Sequence, residues 1–483
     1  MLRPFSLLSG LLLLAACQPN QPVRTVADCD KTPPAEYTIR HPAWADSASI
    51  YEVNIRQYTP EGTFRAFEAH LPRLQKMGVG ILWLMPVQPI GKLNRKGTLG
   101  SQYSIQDYRA VNPEFGTMED MRHLNQEAHK LGMHVILDWV ANHTSWDSQL
   151  SQQHPEWFTR TKAGGFQPPV SDWQDVIDLD YSKPELRRYM QESMAFWLRE
   201  ADFDGFRCDV AGLVPTDFWN DTRQELEKVK PVFMLAEWDE LFPPTFLKPE
   251  QFSPDTKLLE KAFDMAYALR LHGLLDSLAT GKAPTSALDK YRTAESQRYP
   301  GSVYLMNFTS SHDVNSWDGS EYERLGKNAL PLAVLAAMLP GIPMVYNGQE
   351  AALKKRLRFF DKDTIPWNDY PLQDFYTKLL QLKKRHPALL NGDACAEFEA
   401  LPASSSSEVY SFVRRRDDKA VLTVINLGRQ PHQLVLRTLG PGNYRELFSG
   451  QVLRLGSGSK VLLPGHSYRV YEQVPPPPRN GLW

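Results

Sequence analysis

From about residue 41 the chain repeats one rhythm: a short apolar run, a polar loop, then an amphipathic helical stretch. Eight apolar runs carry it: Ile50–Tyr58, Val79–Val87, His134–Val140, Phe203–Val210, Pro231–Trp238, a weaker Ala262–Ala266, Ser302–Phe308 and Ile342–Tyr346. Between them lie helical patterns such as "TFRAFEAHLPRLQKMG", "TMEDMRHLNQEAHKLG" and "KPELRRYMQESMAFWLREAD". Strands alternating with helices predict a parallel sheet. Eight such units predict an α/β fold of the (β/α)8 TIM-barrel type. Strands buried on both faces read as unbroken apolar runs, and these do. After about residue 393 the texture changes. "EVYSFVRRR", "KAVLTVINLG", "HQLVLRTL", "NYRELFSG" and "YRVYEQV" alternate apolar with polar and are split by Gly, Asn and Ser. That pattern predicts a C-terminal antiparallel β-sandwich over 394–474. The "RRR" at 414–416 reads as a solvated strand edge. "PPPPRNGLW" closes the chain as an extended tail, 475–483.

Two connections in the barrel region, 41–393, exceed a simple crossover. One follows the second apolar run, roughly 88–117. The other follows the third and forms a short inserted domain, 143–183, with Trp146, Trp157 and Trp173. Long ordered loops usually serve function. Both leave the C-terminal ends of strands, the face where barrel active sites lie.

The N-terminus reads "MLRPFSLLSGLLLLAACQPNQP". One Arg precedes an apolar run of signal-peptide length, too short to span a bilayer as a helix. Leu14-Ala15-Ala16-Cys17 resembles a bacterial lipobox. On that reading 1–16 is a signal peptide, Cys17 carries a diacylglycerol, and 17–40 is a Pro-rich tether. The protein is then exported and lipid-anchored to a bacterial membrane, on the periplasmic side or the cell surface. Of the other cysteines, Cys29, Cys208 and Cys395 have no disulfide or metal spacing. Cys208 reads as a small buried thiol. Net charge is −2, so no electrostatic case exists for a nucleic-acid partner. Twelve Trp in 483 residues suit either a large core or surfaces that stack sugar rings.

Polar residues gather at the C-terminal ends of the runs. The third ends in Asp138, Asn142 and His143, the fourth in Arg207 and Asp209, the fifth in Glu237, the seventh in His312 and Asp313. The stretch "FDGFRCDV" places an Arg and an Asp two apart in an apolar strand. Residues two apart on a strand face one side, so both would point into the barrel mouth. A nearby guanidinium keeps a carboxylate ionised. Taken alone, this pair is equally well a structural ion pair. Three carboxylates converging with an Arg and two His suit glycoside hydrolysis.

These blocks resemble the conserved regions of the α-amylase family of glycoside hydrolases, family 13. "DWVANH", "DGFRCDVA", "MLAEW" and "NFTSSHD" are similar to its four regions, in order. "SQYSIQDYRAVNPEFGT", "VIDLDYSKPELR" and "GIPMVYNGQE" resemble its loop after strand 2, its motif near the end of the inserted domain, and its eighth strand. The resemblance implies Asp209 as nucleophile, Glu237 as general acid/base and Asp313 as third carboxylate. It implies Tyr103, Asp138, His143, Arg207 and His312 as substrate-binding or subsite residues. Trp173, Trp238 and Trp317 are candidate sugar platforms.

No cofactor is implied for the chemistry. A structural calcium ion is left open, because Asn142 and Asp178 match family calcium positions. Where many relatives carry Lys-His after the nucleophile strand, this chain has Gly212-Leu213. The implied substrate is starch, maltodextrin or a related α-glucan, cleaved by a retaining double displacement. α-Glucosidase, cyclomaltodextrinase or glucan transglycosylase activity is the alternative. A non-catalytic glycan-binding protein is a third reading, which the retained set Asp209, Glu237 and Asp313 weighs against.

Overall fold

The computed structural model describes residues 24–25, 35–240, 252–392, 396–401 and 407–476. The leader, Cys17, Cys29, Cys395 and the end of the tail lie outside these residues. Eight parallel strands close into a barrel: β1 (Ile50–Val53), β2 (Ile81–Leu84), β3 (His134–Trp139), β4 (Gly205–Cys208), β5 (Phe233–Ala236), β6 (Met265–Tyr267), β7 (Tyr304–Asn307) and β8 (Ile342–Tyr346). Strand β8 pairs with β1 and shuts the ring, Val345 opposite Tyr51.

Several strands are shorter than their apolar runs. Ile50–Tyr58 splits after Val53. The Asn54 N–H bonds the Asn347 side chain at 2.6 Å, and a helical turn over Ile55–Tyr58 follows. That turn aims Arg56 at the Gly100 carbonyl and Gln57 at those of Arg358 and Asp361. The fourth run stops at Cys208 because Val210 takes a φ of +35°. Asp209 therefore sits one step beyond the strand, tied back by its N–H to Trp139 O at 2.9 Å.

Helices cover the barrel, and their ends follow local chemistry. Helix α1 (Met118–Lys130) starts with a capping box between Thr117 and Asp120. Helix α2 (Pro184–Glu200) starts on Pro184, whose missing N–H would have no partner in a first turn. Helix α3 (Ala329–Met338) is apolar and buried all round. It lies between the barrel and the C-terminal sheet, so no face meets water. The insert after β3 holds a two-stranded antiparallel ribbon, with His143 opposite Asp178.

The C-terminal unit contains β9 (Glu397–Ala400), β10 (Val409–Arg416), β11 (Lys419–Asn426), β12 (His432–Val435), β13 (Gly442–Glu446), β14 (Val452–Leu455), β15 (Lys460–Leu463) and β16 (Ser467–Val474). One antiparallel sheet runs β9-β10-β11-β16-β13-β14, and β12 pairs with β15 apart from it. Leu422, Val424, Leu434, Tyr444 and Leu463 fill the core. Two expectations change. Arg414 is buried and donates to Leu390 O at 2.9 Å, so it is no solvated edge. Part of the presumed tether is tied down: Thr38 N–H bonds Glu260 O, and Arg24–Thr25 pair with β9.

Gly205 opens β4 with a φ of +157°, and a Cβ there would lie 1.8 Å from the Phe233 carbonyl oxygen on β5. Backbone in a closed barrel cannot yield to it. Gly205→Ala is expected to destabilise by on the order of 3 kcal/mol, read as a lower urea midpoint. Gly132→Ala is the control. Its φ is +73° with nothing within 4 Å, so the cost should be about 1 kcal/mol.

Candidate active site

Alternation along the strands builds the floor. Ile50, Ile81, Ile136 and Phe233 point into the barrel and pack together. Two residues on, the same inward parity brings Glu52 on β1, Trp83 on β2, Asp138 on β3, Arg207 on β4 and Leu235 on β5. Polar and aromatic side chains thus replace aliphatic ones near the C-terminal mouth.

Arg207 is the centre of this layer and is fully buried. Its Nη1 lies 2.8 Å from Asp138 Oδ1 and 3.0 Å from Asp209 Oδ1. Its Nη2 lies 2.8 Å from Glu237 Oε2, and its Nε donates to the Tyr267 hydroxyl at 3.1 Å. Arg207 was read from the sequence as the charge partner of Asp209; the fold shares it among three acids. Asp138 also accepts from Trp83 Nε1 (3.1 Å) and from the Tyr103 hydroxyl (2.9 Å). Asp138 and Arg207 are both sealed beneath the floor. Both therefore sit where they can support the subsite and the Asp209 carboxylate from below.

Asp209, Glu237, Asp313, Tyr103, His143 and His312 all line one cleft of about 620 Å³. Burial and the Glu237 charge raise the Asp209 carboxyl well above its usual range, against Arg207. Burial raises Glu237 as well, against Arg207 and the Val210 N–H, which donates to Glu237 Oε2 at 2.8 Å. Two interacting acids titrate as a unit. This pair retains a proton at a pH where an isolated carboxyl has lost it. Asp313 differs. Removal from bulk water would raise it, but His312, Arg207 and the Trp317 side chain hold it below the carboxylate range.

The two histidines differ in charge. Burial pushes His143 down to about 3, so it is a neutral imidazole, with Nε2 3.9 Å from Asp209 Oδ2. Burial works against a charge on His312 too. Asp313 and Glu52 outweigh it and raise His312 well above its usual value. Glu52 was not singled out in the sequence; an isolated Glu in "IYEV" gives no signal until β1 is placed beside His312.

Aromatic walls rise from the floor. Trp317 is 53% exposed beside Phe359 (5.2 Å between rings) and Phe360 (5.8 Å). It belongs to a single π-helical turn, Val314–Asp318. Trp173 lines the opposite side near His143, at 5.4 Å between rings. Trp238 is not a platform. It is buried against Gly212, where a Cβ would lie 2.0 Å from its ring. The glycine in place of a longer side chain after Asp209 thus makes room for the residue following Glu237. Lys96 pairs with Asp175 at 3.1 Å, linking the loop after β2 to the insert.

The calcium expectation finds a thin donor set. Asp178 accepts from the Thr159 hydroxyl at 2.7 Å, and burial pushes its carboxyl up to about 6. Asn142 gives its carbonyl to the Leu179 N–H. Among the described residues no three His, Cys, Asp or Glu side chains group to hold a metal ion. Calcium takes six to eight oxygens, often several carboxylates, so these residues do not fit it well.

Comparison with known proteins follows the same outline. The family description "Alpha amylase, catalytic domain" matches residues 45–388, and "Maltogenic Amylase, C-terminal domain" matches 398–470. Alpha-amylase 2 of Dictyoglomus thermophilum is 25% identical over 87% of this chain and 76% of its own length. A cyclomaltodextrinase from a Bacillus species is 25% identical over 81% of this chain and 75% of its own. The crystal structure of an alpha-amylase from Lactobacillus plantarum is 32% identical with a TM-score of 0.79, covering 89% of this chain and 100% of that one. A match that spans the whole barrel makes the chain a member of the alpha-amylase family, and so a glycoside hydrolase.

Proposed function

We propose that the protein hydrolyses α-glucosidic bonds in starch, maltodextrin or a related α-glucan, with retention of configuration. The observation that carries this reading is one guanidinium touching both Asp209 and Glu237. A shared guanidinium keeps both carboxylates at one point of the cleft, as the close pair of a retaining enzyme requires. The pair needs one proton and one negative charge, and its upward titration supports that state.

In the first step Glu237 gives its proton to the glycosidic oxygen. Asp209 forms a bond to the anomeric carbon as the C–O bond to the leaving sugar breaks. In the second step Glu237 takes a proton from water, whose oxygen displaces Asp209. Asp313, held ionised by His312, binds sugar hydroxyls; a carboxylate accepts their O–H groups. Neutral His143 can donate to one hydroxyl. Tyr103 closes the pocket over the reacting ring. No step requires a metal or organic cofactor.

Short maltooligosaccharides or cyclodextrins are a second reading. The Lys96–Asp175 bridge, Trp173 and Trp317 wall the cleft. The relatives include a cyclomaltodextrinase, and a maltogenic alpha-amylase from Thermotoga neapolitana shares the fold at 29% identity. α-Glucosidase and transglycosylase activities stay within the same chemistry. The lipobox-like segment supports export and a bilayer anchor through a diacylglyceryl Cys17.

Asp209→Asn is expected to lower kcat by about 10⁴-fold or more in a chain that still folds, with a somewhat lower melting temperature because Arg207 loses one of its three acids; full activity would sink the mechanism. Proton NMR of the first product should show the α-anomer. Product profiles on soluble starch, maltoheptaose, cyclodextrin, pullulan and trehalose separate endo from exo attack and hydrolysis from transfer. Inactivity on all five would favour a glycan-binding protein. Cys17→Ser should move the protein from membrane to soluble fractions; lipid labelling that persists in the variant would refute the anchor.

A further inference from the structure

Glu52 is a buried carboxylate that the two-step reaction does not use. It is fully enclosed on the inner face of β1. Its Oε1 lies 2.5 Å from His312 Nδ1, and its Oε2 accepts the His312 backbone N–H at 3.3 Å. The other ring nitrogen, Nε2, lies 3.2 Å from Asp313 Oδ2 and 2.9 Å from the Tyr103 hydroxyl. That hydroxyl donates onward to Asp138. A carboxylate only accepts, and a neutral imidazole has a single donor. Burial raises the Glu52 carboxyl and its bond to His312 opposes that; with Glu52 ionised and an acceptor at each ring nitrogen, His312 satisfies both only as an imidazolium.

His143 provides the internal contrast. It lines the same cleft, but its Nδ1 meets the Asn142 side-chain amide at 3.3 Å rather than an acid. The two rings therefore differ in the partner behind them. We infer that Glu52 is a positioning residue: it holds His312 as a double donor, so that Nε2–H is fixed on Asp313 and Tyr103 at the cleft floor. This rests on the catalytic reading above, in which Asp313 binds sugar hydroxyls as a carboxylate.

The charge balance around His312 is local. Glu52 faces it from β1, Asp313 from its own segment and Tyr103 from the loop after β2. Further out, Asp138, Arg207 and Glu237 on β3–β5 are committed to one another through the guanidinium. Tyr267 on β6 and Tyr346 on β8 are held neutral, because burial raises both hydroxyls. Replacing Glu52 by an uncharged group thus removes one of two acids bonded to His312. The imidazolium is then less favoured, and His312 loses its proton at a lower pH. Above that pH one ring donor is gone, and Asp313 or Tyr103 loses its bond.

The test is Glu52→Gln, which keeps shape and removes charge. The alkaline limb of the kcat/KM profile should move to lower pH by about one unit. At pH values above the wild-type limb, activity should fall about tenfold relative to wild type, with the melting temperature nearly unchanged. Limbs that stay in place would overturn the proposal, whatever happens to kcat. Adding Glu52→Gln to His312→Gln should cost less than about twofold more, because the two act as a unit; an independent tenfold loss would overturn it. If Glu52→Gln does not fold, nitrogen NMR of the wild-type protein still decides. His312 should keep both ring protons at pH 8, and titration near 6.5 would refute the inference. Activity retained in Asp209→Asn would instead refute the catalytic reading and leave the NMR result standing.

Discussion

The barrel mouth depends on one buried cation. Arg207 has no water to solvate it, and an unpaired charge there would cost several kcal/mol. Three carboxylates from three strands offset that cost: Asp138, Asp209 and Glu237. The rings of Trp83, Tyr103 and Tyr267 surround the guanidinium at 5.0–5.7 Å. The same contacts that keep Arg207 charged also bring Asp209 and Glu237, the proposed catalytic acids, together. Stability and chemistry therefore share one set of bonds, and the floor cannot be altered for one without the other.

Around this centre the protein sets charge by second partners. Two histidines of identical chemistry line one cleft, yet His312 is cationic and His143 neutral. Asp313 and Glu52 hold an acid at each nitrogen of His312, whereas His143 has the Asn142 amide at its Nδ1. Shape is handled similarly. Gly212 leaves room for Trp238, which fixes the strand end that carries Glu237. Both features lie one layer from the substrate. Both act on groups that line the cleft.

Much of the site was legible in the chain because strand-end positions repeat. Asp209, Glu237 and Asp313 follow apolar runs, and parity alone aims Arg207 inward. The weaker readings failed where a side chain answers to a distant partner. Trp238 and Trp317 look alike in the sequence; one is buried on Gly212 and the other stands 53% exposed at the cleft wall. The first run Ile50–Tyr58 reads as one strand, but Asn347, nearly three hundred residues away, ends it at Val53.

By itself the sequence determined the eightfold alternation, the antiparallel C-terminal unit and the residue types gathered at one face. Those follow from local periodicity, which any short window displays. Only the tertiary structure decided how charge is distributed among them. Arg207 serves three acids because β3, β4 and β5 are neighbours in a closed ring. Glu52 meets His312 because β1 and β7 both flank β8 where the ring closes, joining the first strand to the last. Distances between groups so far apart in sequence set their protonation, and no local pattern records them.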